Sequence, residues 1–423
     1  MNRRQFFHGA VAGGAAIALS PRALKAANAA NRTLRVATLG VNGRGIAHIR
    51  ALLSNPNVEV IGVCDPDSRA VAKGLAAVAE RQDKVAQGYS DFRKVLELRE
   101  LDAITVATPN HWHAPATILA LSAGKHVYVE KPGSHNPYES QFMVNAARYH
   151  DKRVQMGNQR RSWPWVQEAI QRLHEGELGE LTFARTWYNN RRGSIGQGSS
   201  TSVPEWLDYD VWQGPAPRRD YKDNVVHYDW HWRWHWGNGE LGNNGIHALD
   251  IARWGLRVDC PVSVTCTGGR YRYQDDQETP DTTIASYDFG SKGASWEGHS
   301  CDPRGFEGVG FGIHFYGPGG SLVIAGNTYA VYDENRDLVA QGSGPGGDSV
   351  HFGNFLDSIR EDAPLTAPID DAQTSTMLCH YGNIAYRSHS ALSIDTETGR
   401  IQENQKAARL WRRDYAPGYE PVL

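Results

Sequence analysis

A strand, a glycine-rich loop and a helix follow one another near the start of the chain, and the next strand ends in an acid. Residues 34–39 have a strand pattern, residues 40–45 turn into a helix, and Asp65 closes the strand that begins at Val58. In parallel sheets such a loop binds a pyrophosphate, while the acid binds ribose hydroxyls. The spacing predicts a dinucleotide-binding Rossmann domain. The predicted cofactor contacts here are Gly40, Asn42, Gly43, Arg44, Gly45 and Asp65.

The acid also bears on which dinucleotide is bound. A carboxylate at Asp65 repels a 2′-phosphate, so the sequence favours NAD over NADP. Asn42 stands where the second glycine of the fingerprint is usual. Asparagine tolerates left-handed backbone, but its side chain is expected to push the pyrophosphate slightly away.

Polar residues follow two further strand patterns of the same region. Lys131 comes directly after the apolar run 126–129, and Thr108 ends the run 103–108. The carboxyl ends of parallel strands form the ligand-binding edge of an open α/β sheet. We therefore expect a second group of cofactor contacts, made by Thr108, Asn110, His111, Glu130 and Lys131.

Four separated motifs resemble the glucose–fructose oxidoreductase, inositol dehydrogenase and rhizopine catabolism (Gfo/Idh/MocA) family. They are residues 40–45, Thr108-Pro109-Asn110 with His111 and His113, Glu130-Lys131-Pro132, and residues 245–250. The resemblance extends over about residues 33–400 and implies a sugar oxidoreductase that is commonly a homo-oligomer, here a dimer or tetramer.

Strand and helix patterns predict an α/β protein with two folded domains. Residues 31–157 alternate strand and helix, which is typical of a doubly wound parallel sheet. Residues 158–423 carry many strand-like runs joined by short turns, which predict an α+β domain with a large open, mostly antiparallel sheet for substrate binding and oligomerisation. Helical patterns at 352–360 and 376–387 are expected to return toward the first domain.

The first thirty residues have the pattern of a targeting segment. Asn2-Arg3-Arg4-Gln5-Phe6-Phe7 resembles a twin-arginine export signal, and Ala27-Asn28-Ala29 offers a cleavage site. The apolar stretch 9–19 is too short for a permanent membrane span. We expect export by the twin-arginine machinery to the periplasm. The alternative is an apolar tail that stays on the protein.

Composition excludes other classes of protein. The formal net charge of −3 argues against nucleic acid as a partner. Five scattered cysteines provide neither a disulfide framework nor a zinc site, and no metal is expected.

The resemblance assigns the catalytic roles to three residues. It implies that Lys131 contacts substrate hydroxyl and nicotinamide, and that His247 is the general base. Where the family carries an acid four residues before this histidine, the chain has Asn243. An amide binds a sugar hydroxyl but cannot ionise, which places more of the proton transfer on His247 and Lys131.

Residues in the second domain are candidates for substrate binding. Arg160 and Arg161 are expected either to bind hydroxyls or a carboxylate, or to form a solvated pair. Residues 228–236 carry four tryptophans, and such rings stack on sugar faces or pack a loop or subunit interface. The predicted substrate contacts are Arg160, Arg161, Tyr188, Trp232, Trp234, Asn243 and His247.

Three functions are compatible with these patterns. The first is an exported oxidoreductase that transfers hydride between a carbohydrate hydroxyl carbon and a tightly bound NAD(H). The second is an NAD-dependent glycosidase, lyase or epimerase that oxidises its sugar only transiently. The third is a sugar-sensing binding protein without turnover, which Asn243 mildly favours and the intact Lys131 and His247 oppose.

Overall fold

A computed structural model describes residues 32–306 and 308–422. The predicted export signal, residues 1–30, lies outside the described residues.

Six parallel strands form the first sheet, in the order β3-β2-β1-β4-β5-β6. Helices cover both faces of such a sheet, so its central strands are continuously apolar rather than alternating. The strand with the sequence AITV, for example, is buried at all four positions. The strands are β1 Leu34–Leu39, β2 Val58–Cys64, β3 Gln87–Tyr89, β4 Ala103–Val106, β5 His126–Val129 and β6 Val154–Met156.

Five helices connect these strands. They are α1 Arg44–Leu52, α2 Ser68–Ala79, α3 Phe92–Leu96, α4 Asn110–Ser122 and α5 Pro137–His150. Asp67, Asp91 and Asn136 cap the N-termini of α2, α3 and α5 by accepting hydrogen bonds from backbone amides. The predicted doubly wound sheet is confirmed.

Ten strands form the second sheet, in the order β14-β13-β12-β11-β7-β10-β9-β8-β15-β16. Its pairs are antiparallel except for β7 with β10. Alternating buried and exposed residues along β9 show that one face packs on the core. The strands are β7 Phe183–Asn189, β8 Ser263–Gly269, β9 Thr282–Asp288, β10 Gly293–His299, β11 Phe311–Gly317, β12 Gly320–Ala325, β13 Thr328–Tyr332, β14 Leu338–Ser343, β15 Leu392–Ile394 and β16 Ile401–Gln402.

The later helices pack on this sheet and also return to the first one. They are α6 Pro164–His174, α7 Tyr209–Gln213, α8 Ile246–Leu256, α9 Ser349–Glu361, α10 Ile369–Ser388 and α11 Gln405–Ala408. In α9, Phe352 stacks on Tyr128 of β5 with ring centroids 4.1 Å apart. The amide of Gln155 in β6 donates to the His351 carbonyl at 2.8 Å. The first sheet therefore depends on the end of the chain. Within the described residues, no helix has the length and apolar character needed to cross a membrane.

The sheet edges are where the sequence prediction was incomplete. Residues 342–347 are rich in glycine, a composition typical of a flexible loop, yet Gly342 lies in β14, where its backbone packs on the Tyr329 ring. Four of the six residues of β14 are exposed and none is fully buried, because the strand is at the edge of the sheet. An edge strand of this kind lacks the apolar periodicity on which the prediction relied.

A buried ion-pair network joins the two halves of the fold. Arg161, just after β6, donates to both carboxylate oxygens of Asp250 in α8 at 2.8 and 2.7 Å. Ser375 in α10 donates to the same carboxylate at 2.7 Å. Burial alone raises the pKa of Asp250, but Arg161 holds it below its usual range. Asp250 therefore positions helix α8, the element that carries His247.

We expect Asp250→Asn to lower the free energy of unfolding by about 3 kcal/mol, because the buried guanidinium of Arg161 loses its buried carboxylate and keeps only the part-exposed Asp371. Asp259→Asn is the matched control. Asp259 pairs with Arg253 at 2.8 Å but its side chain is 84% exposed, against 2% for Asp250. An exposed pair of this kind contributes at most about 1 kcal/mol. Denaturant unfolding measures both variants, and equal losses would contradict the assigned role.

Candidate active site

A cavity of about 380 Å³ opens at the carboxyl ends of the parallel strands. The second half of the chain closes its other side. The lining residues that matter for the chemistry are Gly40, Asn42, Gly43, Arg44, Asp65, Thr108, Asn110, Glu130, Lys131, Tyr228, Trp230, His231 and Asn243. The cavity therefore brings together most of the predicted cofactor contacts.

The glycine loop has the shape that a dinucleotide requires. A Cβ atom on Gly45 would lie 2.1 Å from the Gly40 carbonyl oxygen, so helix α1 begins against the loop. Gly40 has φ +80° and a Cβ there would lie 2.5 Å from the Ala107 carbonyl oxygen. Gly43, in contrast, faces open space, with no heavy atom of the described chain within 4 Å of an added Cβ. The open side at Gly43 leaves room for a pyrophosphate.

Asp65 is buried at the far end of this loop. Its two carboxylate oxygens accept hydrogen bonds from the amides of Val41 at 2.9 Å and Asp67 at 3.0 Å. Asp67 in turn accepts from Arg69 at 2.9 Å and contacts His227 at 2.6 Å. Burial raises the pKa of Asp65. The carboxylate therefore holds the loop and is fixed for contact with a ribose.

Arg44 and Glu130 line the cavity but bind mainly one another and the protein. Arg44 Nε donates to Glu130 at 2.6 Å, and its two terminal nitrogens donate to Asp348 at 2.8 Å each. His48 donates to the same Glu130 carboxylate at 3.0 Å. Both residues were predicted as cofactor contacts. Their charges are satisfied within the chain, so they support the loop and the adjacent lysine.

The loop after β4 divides into residues that reach the cavity and one that does not. Thr108 Oγ1 is buried in the cavity wall, and no partner for it exists among the described residues. Asn110 lines the cavity beside it. The His111 side chain is fully buried and donates to the Trp212 carbonyl at 3.0 Å. The predicted contact of His111 with cofactor is therefore corrected, because its ring packs between the two halves of the chain, away from the cavity.

Lys131 is held at the mouth of the cavity by Asn243. Its Nζ donates to the backbone oxygen of Asn243 at 2.8 Å and to its side-chain oxygen at 3.1 Å. Asn243 lies in a π-helical turn, Leu241–Gly245, that precedes α8. Burial lowers the pKa of Lys131. Asn243 was predicted to bind a sugar hydroxyl, but its oxygen is committed to orienting the lysine.

His247 begins the next helix one turn beyond Asn243. Its Nδ1 is buried, and it has no hydrogen-bond partner within residues 32–306 and 308–422. Burial, together with the positive charges of Lys131 and Arg160, holds the pKa of His247 well below its usual range. The ring is therefore neutral at neutral pH and can accept a proton.

Arg160 and Arg161 have opposite environments although they are adjacent in sequence. Arg161 is committed to Asp250, so its predicted contact with substrate is corrected. Arg160 stacks on Phe311 at 4.2 Å and Trp163 at 4.8 Å, and its buried Nη1 lacks a partner in the described part of the chain. Burial lowers the pKa of Arg160 to about 10. Arg160 remains a candidate for binding substrate.

A buried ion pair beside the lysine was not anticipated. Glu240 accepts from Arg192 at 2.9 Å and from Ser300 at 2.6 Å. Tyr188 lies close to it, and burial with the Glu240 charge raises the pKa of Tyr188 to about 12. Tyr188 was predicted to contact substrate, but it is not among the residues that line the cavity, and nothing in the sequence spacing paired Arg192 with an acid 48 positions away.

The aromatic segment divides between separate environments. Tyr228, Trp230 and His231 line the main cavity. Trp232 is only 1% exposed and lies beneath Arg192 at 3.9 Å, so its predicted contact with substrate is corrected. Trp234 lines a different cavity and packs against Arg387 at 4.8 Å, so it too is placed outside the main cavity.

The histidines of this segment do not converge on a metal. His231 lines the main cavity and His235 the other one. In the portion of the chain that the structure describes, no group of three histidine, cysteine or acidic side chains is arranged to hold an ion.

Comparison with known families agrees with this geometry. The model of an oxidoreductase family with an NAD-binding Rossmann fold matches residues 34–158, and the model of that family's C-terminal alpha/beta domain matches residues 182–292. Together they cover more than half of the 423 residues. The chain belongs to the Gfo/Idh/MocA family.

Individual family members match more limited parts of the chain. A levoglucosan dehydrogenase from Pseudarthrobacter phenanthrenivorans is 30% identical over 228 residues, 53% of this chain and 51% of that protein. A glycosyl hydrolase family 109 protein from Saccharopolyspora erythraea is 30% identical over 164 residues, 38% of this chain and 36% of that protein. The chain thus matches between a third and a half of the length of these relatives.

The fold is shared with a solved dehydrogenase structure. A levoglucosan dehydrogenase in complex with NADH superposes with a TM-score of 0.68 at 18% identity, covering 86% of this chain and 100% of that chain. At this identity the likeness establishes the two-domain architecture alone.

Proposed function

We propose that the protein is an NAD(H)-dependent oxidoreductase acting on a hydroxyl-bearing carbon of a carbohydrate. One observation carries the proposal: Lys131 Nζ, fixed by two hydrogen bonds to Asn243, faces the same cavity as the glycine loop and Asp65. The nicotinamide supplies the hydride acceptor when the dinucleotide is bound. The printed names of the relatives, including a levoglucosan dehydrogenase, support a sugar as substrate.

The proton chemistry is assigned to Lys131, which lines the cavity, and to His247, which lies one helical turn beyond Asn243. A lysine ammonium has three donor hydrogens, and Asn243 takes two, which leaves one for a substrate oxygen. That donor polarises the carbon–oxygen bond. Neutral His247 then accepts the hydroxyl proton as general base.

We expect His247→Gln to lower kcat/KM for sugar oxidation on the order of 10²-fold, the usual contribution of a positioned base. In the parent protein, kcat/KM falls at low pH as His247 becomes protonated. Arg160→Gln removes a neighbouring positive charge, so the pKa of His247 rises and this acid limb moves to higher pH.

The measurement is the pH profile of kcat/KM for each variant. Arg81→Gln serves as the control, because Arg81 is exposed and lies outside the cavity. If the acid limb of the kcat/KM profile does not move in Arg160→Gln, a group other than His247 is responsible for it.

We infer that NAD is preferred to NADP. Asp65 is fixed by two backbone amides, and the cation on the next turn, Arg69, is bound to Asp67 and stacks on Trp206 at 3.4 Å. A 2′-phosphate would therefore meet a carboxylate, while the nearby guanidinium is already paired.

Asp65→Asn removes the repulsion between the Asp65 carboxylate and the 2′-phosphate of NADP, and the new amide keeps one oxygen that can accept from a loop amide. We expect the ratio of NADP to NAD affinity to rise about tenfold, equivalent to about 1.4 kcal/mol. Calorimetric titration of both dinucleotides measures the ratio, with the exposed Asp83→Asn as control. Tighter binding of NADP than NAD by the parent would overturn the role given to Asp65.

We further propose that the protein is exported by the twin-arginine route and works with a nucleotide that stays bound. The support is the Arg-Arg motif at positions 3–4, outside the described residues. This route carries folded proteins, so a nucleotide loaded before export would travel with the chain. Because no pool of free NAD is expected in the periplasm, a second sugar, or the same substrate after rearrangement, has to take the hydride back.

Dialysed protein should retain its nucleotide and convert sugar without added NAD. Absorbance and mass spectrometry of the protein, together with product analysis, measure this. Steady turnover that requires free NAD and releases stoichiometric NADH would contradict a bound and internally reset nucleotide.

A second candidate is a glycosidase, lyase or epimerase that oxidises its sugar transiently. Relatives named as glycosyl hydrolases favour it. Oxidation at one carbon acidifies the neighbouring C–H bond, and loss of that proton permits elimination of a glycosidic bond or inversion. Release of aglycone from a panel of glycosides, with no net formation of NADH, would select this function over the first.

The dimer or tetramer that the family resemblance implies stays a prediction.

A further inference from the structure

A second cavity of about 320 Å³ lies beside the first. Asn238 lines it and contacts Asn110 of the main cavity at 3.4 Å. Its walls come from the start of helix α5, residues 234–238, helix α10 and residues 409–414. None of the roles described above uses this space.

Positive charge dominates the walls of the second cavity. Its lining includes one acid, Asp414, and the arginines Arg219, Arg387, Arg409, Arg412 and Arg413.

Three of these arginines have carboxylate partners. Arg413 pairs with Glu139 at 2.7 Å, Arg412 with Glu420 at 3.3 Å and Arg219 with Glu278 at 3.7 Å. Across the described residues, neither Arg387 nor Arg409 has an ion pair or a side-chain hydrogen bond. Burial lowers the pKa of Arg387, whose guanidinium is only stacked on Trp234. In the described chain, Glu278, which pairs with Arg219, is the one acid whose charge also acts on Arg387, and Arg409 is exposed to solvent, so the arginines of the cavity outnumber the carboxylates that pair with them.

Buried donors without partners line the same space. Asn136 is 5% exposed, and its Nδ2 has no acceptor within the described chain. The same holds there for Nε and Nη1 of Arg413 and for the one ring nitrogen of His135 that carries a hydrogen, since burial lowers the pKa of His135 and keeps its ring neutral. Buried donors are normally hydrogen-bonded, so several of them in one cavity form a set that an oxygen-rich ligand would satisfy. Asn136 also caps the 14-residue helix α5, whose N-terminus carries partial positive charge.

We propose that the second cavity binds a small oxyanion: a carboxylate, sulfate or phosphate group, either free or carried by a saccharide of about monosaccharide size. Guanidinium groups bind such oxygens in bidentate geometry. The Nδ2 of Asn136 and the free nitrogens of Arg413 supply further donors. Trp234 supplies an apolar face against which a sugar ring packs. This site is separate from the redox chemistry and does not depend on it.

Calorimetric titration of the purified full chain at constant ionic strength in chloride tests the site. The probes are sulfate, phosphate and glucuronate, with uncharged glucose for comparison. We expect saturable binding of one oxyanion per chain, measured with the main cavity blocked by NADH. Tighter binding of glucuronate than of the inorganic ions identifies a charged saccharide as the source, and equal binding identifies a free oxyanion.

Arg387→Gln with Arg409→Gln should weaken oxyanion binding at least about tenfold, or about 1.4 kcal/mol. Arg99→Gln should leave it unchanged, because Arg99 is an exposed arginine outside both cavities. Selenate soaked into crystals gives a readout that needs no substitution, with anomalous density expected within hydrogen-bond distance of Arg387 or Arg413.

Two results would overturn the proposal. One is the absence of saturable binding by all three oxyanions, or equal weakening in Arg99→Gln. The other is a smaller oligomer in the Arg387→Gln, Arg409→Gln double variant, combined with no oxyanion binding by the parent protein. That result would mean that the arginines form a contact between copies of the chain.

Discussion

The buried carboxylate of Glu130 is the contact on which the site is assembled. It accepts hydrogen bonds from Arg44 at 2.6 Å, from His48 at 3.0 Å and from the backbone amide of Lys131 at 3.2 Å. Burial alone raises its pKa, but Arg44 and His48 hold the pKa of Glu130 well below its usual range. Through Arg44 the contact continues to Asp348, which precedes helix α9. One charged group therefore holds the glycine loop, Lys131 and the returning helix α9 in place, and its burial is stable only while its donors are present.

Positive charge is distributed unevenly around this centre, and the distribution sets the chemistry. Arg44, Arg161 and Arg192 are each neutralised by a buried acid. Lys131 and Arg160, by contrast, have no carboxylate within ion-pair distance in the described residues, and both lower the pKa of His247. In the proposed reaction, the positive charge of Lys131 also lowers the pKa of the substrate hydroxyl to which it donates. Because the pKa of the substrate hydroxyl and the pKa of His247 are lowered together, His247 can still accept the hydroxyl proton.

This distribution explains the consequence of an amide at position 243. An acid there would pair with Lys131 Nζ and cancel the charge that polarises the substrate. Asn243 instead offers two neutral oxygens, which orient the ammonium and leave its charge in place. The buried acid of this region is Glu240, whose charge is taken up by Arg192. The departure from the family pattern therefore changes how Lys131 is held and keeps the lysine available.

The sequence predicted those features that depend on local order, and missed those that depend on distant partners. The glycine loop, Asp65 and Lys131 lie together because strands of a parallel sheet end at one edge. Arg161 and Trp232 were chosen by residue type and His111 by its place after a strand, and neither criterion reveals which residues pack against these side chains. Asp250 lies 89 positions from Arg161, and Trp212 lies 101 positions from His111.

The aromatic segment, residues 228–236, was predictable as part of a cavity wall, but the sequence did not show which of its rings face the cavity. That choice follows from the short 3-10 turn Asp229–Trp232. The turn places Trp230 and His231 at the main cavity, while Trp232 packs inward. The remainder of the segment reaches the second cavity through Trp234 and His235, so one run of aromatic residues forms walls of both.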